Sequence, residues 1–230
     1  MKKILVMAAH PDDEILGCGA SIALWSKKNY EVHVVIAAEG LRSRDASSKQ
    51  TQKSEITELH ETARAANQLL GVKDVSFYNF PDNRMDSVDR LDVIKQIEQK
   101  INSFNPDEIY THHPFDLNVD HRRLSEAVTT ATRPLPGQKI KKVCFFEVVS
   151  STGWVFNGAT AQQFSPNIFI DVSPFMDLKI KALNIYKSEM RDFPHARSIE
   201  AVKALAAYRG STSGYQSAEA FMLGRELISL

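Results

Sequence analysis

Between residues 4 and 132 the chain alternates short apolar runs with amphipathic stretches, and this rhythm restricts the fold more than any other feature. Ile4–Ala9 is an apolar run of strand length, and Glu14–Lys28 follows with Ile15, Leu16, Ile22, Ala23 and Trp25 available for one buried helix face. Val32–Ala38 reads as a second strand, and the polar stretch Ser48–Leu70 as a long helix stopped by Gly71. Val75–Phe80 is a third strand, closed by Pro81-Asp82-Asn83; Leu91–Phe104 is a helix, Glu108–Thr111 a short strand and Arg122–Thr132 a further helix. Strands separated by helices are joined by crossovers, so they lie parallel and carry helices on both faces. The expected class is α/β with a mostly parallel sheet. Beyond residue 132 the rhythm breaks. Val143–Val149 and Ile168–Val172 read as strands and the tail from Pro174 as largely helical, a C-terminal α/β elaboration. With no repeat or linker, residues 1–230 read as one domain.

Charge narrows the function classes. Lys+Arg and Asp+Glu both number 28, which leaves no basic footprint for nucleic acid. No apolar stretch approaches the roughly 18 residues of a membrane span. Met1-Lys2-Lys3 runs into six apolar residues that end at His10-Pro11, unlike a signal-peptide cleavage site. Cys18 and Cys144 are far apart and form no CxxC. A cytoplasmic enzyme acting on a small molecule is expected, with a homo-oligomer left open.

Ligands of open α/β sheets bind at the carboxyl ends of strands. There, after the first strand, stand His10-Pro11-Asp12-Asp13-Glu14. Helix capping explains one aspartate at such a place. It explains neither the histidine nor the second aspartate. Three residues apart across a strand-to-helix turn, His10 and Asp13 can converge on one metal ion, leaving Asp12 beside it as a base for a bound water. That pairing is what hydrolysis of an unactivated amide requires. The fourth strand is followed by His112-His113-Pro114-Phe115-Asp116-Leu117-Asn118-Val119-Asp120-His121. His121, opening the next helix, is the expected third ligand. Asp120 is the expected orienter of a ligand or catalytic imidazole.

His10-Pro11-Asp12-Asp13-Glu14 with Asp120-His121 resembles the PIG-L/LmbE-like zinc N-deacetylases over most of the chain. The resemblance implies a Rossmann-like α/β fold, zinc (or another divalent transition metal) on His10, Asp13 and His121, and Asp12 as general base. It also implies removal of an acetyl group from the nitrogen of an N-acetylated amino sugar or its conjugate. It places a substrate-contacting arginine at Arg64 and a sugar-contacting aspartate at Asp82. Arg209-Gly210 and Ala218-Glu219-Ala220-Phe221 look like the family's closing motif, and packing explains them equally. Several relatives carry a histidine where this chain has Asn118, which can donate to an oxyanion but cannot serve as a general acid. Proton return to the leaving amine then falls to Asp12 or to His195, whose segment also reads as a surface loop. Phe146–Trp154, with its hydroxyls and one aromatic ring, suits a specificity element. Two rival classes remain: a metal-dependent phosphoesterase, which usually needs two metals, and a non-catalytic metal-binding regulatory module.

Overall fold

A computed structural model describes residues 1–40, 49–156 and 162–228. Five strands, β1 (Lys3–Ala8), β2 (Glu31–Ala38), β3 (Asp74–Phe80), β4 (Glu108–His112) and β5 (Lys142–Phe146), pair in parallel in the order β3-β2-β1-β4-β5. The crossovers carry helices α1 (Asp13–Lys27), α2 (Lys49–Leu69), α3 (Arg90–Phe104) and α4 (Val119–Ala131). The expected start of the second helix, Ser48, lies outside the described residues. This is the expected Rossmann-like α/β sheet, mostly parallel with helices on both faces.

The pleat of β1 shows why both faces are covered. Ile4, Val6 and Ala8 point into one apolar layer with Ile15 of α1 and Ala63 of α2. Leu5, Met7 and Ala9 point into the other, with Ile97 of α3 and Leu124 of α4. All six residues from Ile4 to Ala9 are fully buried, as a continuous apolar run demands.

The tail departs from the expectation. Helices α5 (Met176–Ile185) and α6 (Ile199–Ser211) form, but Ala218–Glu226 is a strand, β7, and not part of a helical tail. It lies antiparallel between β5 and β6 (Ile168–Asp171) and completes a seven-stranded sheet among the described residues. Ala, Glu, Met and Leu favour a helix here, and the open edge of β5 overrides that local preference. From β7 the buried Glu219 accepts hydrogen bonds from the backbone N–H groups of Ala20 (3.0 Å) and Ser21 (2.7 Å) and from Lys179 Nζ (2.7 Å). Lys179 of α5 also donates to Leu16 O (2.8 Å), so α1 is clamped between β7 and α5.

Candidate metal centre

β1 and β4 are neighbours at the point where the strand order turns, so the crevice at their carboxyl ends is the natural ligand site. Both acidic-histidine segments leave these two ends. The ring of His10 is held from both sides: Nε2 meets Asp120 Oδ2 at 3.0 Å and Asp82 Oδ1 at 3.3 Å, while Nδ1 faces Asp13 Oδ2 at 3.1 Å. Asp120 is itself fixed by the backbone N–H groups of Asn83 (2.6 Å) and Met85 (2.9 Å). It therefore orients His10, and it ties the turn after β3 to the site. His121, in the first turn of α4, brings Nε2 to 3.0 Å from Asp13 Oδ2 and 3.3 Å from His10 Nδ1.

These three atoms form a triangle with edges of 3.1, 3.0 and 3.3 Å. Donors of a tetrahedral ion at about 2.0–2.2 Å stand about 3.3–3.6 Å apart, so small shifts admit one. Two imidazoles and a carboxylate are also the donor types zinc takes. Burial opposes charge on His10, but hydrogen bonds to Asp120 and Asp13 outweigh it and raise its pKa to about 10. Burial likewise opposes charge on His121, and Asp13 and Asp116 raise its pKa to about 9. Asp13 is held well below the usual carboxylate range against its burial, chiefly by His121 and His10. A negative corner thus faces two imidazoles that carry protons a cation would displace. A second set, His10, Asp82 and Asp120, also comes within ligand range. Its Asp120 is already occupied by Asn83 and Met85, and the set reads as support for His10.

Asp12 is next to this triangle and behaves as no cap. It is fully buried, has φ +101°, and its side chain accepts nothing from α1. For a non-glycine residue such a backbone costs about 1–3 kcal/mol and needs support. Glu14 gives it, since Oε2 accepts from Asp12 N (3.1 Å) while Oε1 accepts from Asn67 Nδ2 (2.7 Å) and Tyr186 Oη (2.8 Å). Burial raises the Glu14 pKa to about 7 despite those bonds. Neither carboxylate oxygen of Asp12 accepts a hydrogen bond among the described residues. Arg197 Nη1 makes an ion pair with its Oδ2 at 3.1 Å. Burial drives the Asp12 pKa well up, Arg197 resists, and Asp13, Glu189 and Glu14 reinforce the rise.

One residue of the site escaped sequence reading. Asp116 Oδ1 lies 3.2 Å from His121 Nδ1, and its Oδ2 accepts from Thr152 Oγ1 (2.5 Å) and Ser151 Oγ (3.2 Å). It does for His121 what Asp120 does for His10. The signal was its place in the segment after β4, one carboxylate among several. Arg197, which beside His195 in Phe193–Ser198 suits the lip of a site, is brought to Asp12 by a loop some 180 residues away in sequence. The strand expected over Val143–Val149 stops at Phe146 because the chain then turns inward. Val148 O accepts from Ser151 N (3.0 Å) and Thr152 N (2.8 Å), which delivers both hydroxyls to Asp116.

The remaining expected residues divide. Asp82 is buried within the cluster. Asn118 is the N-cap of α4, with Oδ1 accepting from Asp120 N (2.8 Å) and Nδ2 donating to Asn83 Oδ1 (3.0 Å). His195 stands one loop away, with Nδ1 accepting from Arg197 N (3.0 Å) and its ring edge-on to Trp154. Arg64 is not brought to the cluster. It donates to Val75 O (2.9 Å) near the amino end of β3 and lies over Phe77, away from the carboxyl ends of the strands.

Known proteins are similar to this chain in sequence and in fold. An uncharacterized deacetylase, YaiS of Escherichia coli (strain K12), is 30% identical over 193 residues, covering 81% of this chain and 91% of that protein. The diacetylchitobiose deacetylase of Thermococcus kodakarensis is 24% identical over 236 residues, covering 95% and 82% of the two. In fold the likeness extends to a hydratase. GalB, the 4-carboxy-2-hydroxymuconate hydratase of Pseudomonas putida KT2440, superimposes with TM-score 0.77 at 21% identity, over 100% of this chain and 99% of that one. Fold alone therefore does not choose the reaction. Family membership rests on sequence: the model described as PIG-L, GlcNAc-PI de-N-acetylase, matches residues 5–132, and the chain belongs to that family.

Proposed function

We propose that this chain is a zinc-dependent hydrolase that removes the acetyl group from the amide nitrogen of an N-acetylated amino sugar or its conjugate. The observation that carries the reading is the triangle of His10 Nδ1, Asp13 Oδ2 and His121 Nε2 beside a buried Asp12 whose oxygens accept no hydrogen bond. Membership of a family described by a sugar de-N-acetylase, and a relative named as a diacetylchitobiose deacetylase, support the substrate class.

A zinc-class ion at the triangle supplies charge that acidifies a water and polarises an amide carbonyl; other divalent transition metals take the same donors. Asp120 and Asp116 hold the two imidazoles in their ligand orientations. Asp12 takes the water proton on an oxygen that no protein donor occupies. The water oxygen bonds to the acetyl carbon, the carbon–nitrogen bond breaks, and acetate leaves. The proton passes to the amine nitrogen from Asp12, the acid nearest at hand; His195, one loop away, is the second choice. Asn118 caps α4 through Oδ1 and gives one Nδ2 hydrogen to Asn83, so its part here is to support the site. The test is a screen of the metal-loaded protein against N-acetylglucosamine, its glycosides and nucleotide conjugates, and N-acetylated peptides. Equal amounts of acetate and new primary amine from the sugars are expected. Inorganic phosphate in place of both would overturn the reading in favour of a phosphoesterase, and preference for peptides would overturn the sugar assignment.

A further inference from the structure

Three fully buried polar side chains from separate parts of the chain meet beside Asp12: Glu14 of α1, Asn67 of α2, and Tyr186, which ends α5. Resting on the function proposed above, we infer that Tyr186 and Asn67 are positioning residues for Asp12, acting through the Glu14 carboxylate.

Their surroundings make a purely architectural role expensive. Tyr186 belongs to the apolar layer that Ile15 of α1 and Ala63 of α2 share with β1. A carboxylate buried there is costly, and apolar side chains of similar volume would pack the three helices together as well. What the carboxylate holds explains its presence. Its Oε1 accepts from Asn67 Nδ2 (2.7 Å) and Tyr186 Oη (2.8 Å), and its Oε2 accepts from the backbone N–H of Asp12 (3.1 Å). Asn67 Nδ2 also donates to Ala63 O (2.9 Å), so both amide hydrogens are used and the group cannot turn. Glu14 is therefore fixed from two helices, and it fixes in turn a residue whose backbone, at φ +101°, is unfavourable without support.

Tyr186 also anchors the other route to Asp12. Its carbonyl accepts from Glu189 N (2.9 Å) and Met190 N (3.3 Å), which starts the loop that returns with Arg197 to the Asp12 carboxylate. One residue thus reaches the backbone of the expected base by its side chain and the carboxylate by its main chain. Neither Tyr186 nor Asn67 hydrogen-bonds to His10, Asp13 or His121 among the described residues, so metal should survive their loss. Displacing a reacting group by about 1 Å costs about 10²-fold in rate. With the task shared between two donors, each is expected to carry about a tenfold part.

Tyr186→Phe removes one hydroxyl and little else, and Asn67→Ala removes the other donor. With one zinc per chain retained, each should lower kcat for acetate release by about fivefold to twentyfold and leave KM within about twofold. In an Asp12→Asn background neither change should lower kcat further, whereas the fall in Tm should be the same in both backgrounds. Equal loss of kcat in both backgrounds, or a raised KM with kcat unchanged, would overturn the positioning role. Amide hydrogen exchange reads the same link without turnover. In Tyr186→Phe the Asp12 N–H should exchange about tenfold faster relative to the N–H of Ile97, which lies in the opposite layer. An unchanged ratio would likewise overturn the role. Near-normal turnover in Asp12→Asn alone would instead defeat the base assignment, a failure read without either network variant.

Discussion

Asp12→Asn separates metal binding from chemistry. Asparagine has the same shape and tolerates the left-handed backbone at φ +101°, so Glu14 can go on holding the residue in place. No accepted hydrogen bond is lost, because neither oxygen has one among the described residues. The pair with Arg197 Nη1 is lost, but Arg197 retains Ser150 at 2.9 Å and Glu189 at 3.5 Å, and one charge leaves a crowded group that includes Asp13, Glu14 and Glu189. These effects oppose, and Tm should move by less than about 4 °C, equivalent to about 1 kcal/mol in a chain of this size. Removing a general base costs about 10²–10⁴-fold, or about 2.7–5.4 kcal/mol of barrier. The assay is acetate release under saturating zinc beside metal content by elemental analysis. Turnover within a few-fold of the unmodified protein, with metal retained, would show that Asp12 is not the base. Loss of the metal would show that it is a ligand.

Other predictions follow from the same geometry. His121→Ala should abolish tight zinc binding, whereas Asp116→Asn should weaken it by about 10–100-fold while leaving the ligands in place, as read by competition with a chelating dye. In the metal-free protein His10 (about 10) and His121 (about 9) carry protons at pH 7, and metal needs both rings neutral. Zinc uptake should thus release protons and tighten as pH rises toward 9; calorimetry in buffers of different ionisation enthalpy that finds no release would refute the charge states. Gly17→Ala places a Cβ 2.4 Å from Phe146 Cδ2, so despite the better helix propensity it should cost about 1–3 kcal/mol, visible as a lowered denaturation midpoint.

The sequence carried most of what is local. The strand-and-helix rhythm up to residue 132 was legible because each buried run is continuous and each helix has one apolar face. His10, Asp12, Asp13 and His121 were legible because they follow strands whose carboxyl ends meet at the switch point. What was missed depends on contacts across the chain. β7 is written in helix-favouring residues and becomes a strand only because β5 offers an edge. Asp116 could not be told from Asp120 by spacing, since which carboxylate serves which imidazole depends on how α4 is docked. Arg197 stands beside His195 in sequence, but its pairing with Asp12 depends on how that loop docks. Arg64 is exposed on α2 and its guanidinium goes to Val75 O near the amino end of β3, which the sequence does not reveal.

The proposed site holds one catalytic metal ion on His10, Asp13 and His121. Its most direct test is a titration of metal-free protein with zinc while acetate and primary amine are measured from the best N-acetylated sugar of the screen. Equal release of both products is expected, rising linearly to a maximum at about one zinc per chain and absent after chelation. Full activity in the metal-free protein, or a maximum reached only at two zinc ions per chain, would contradict it.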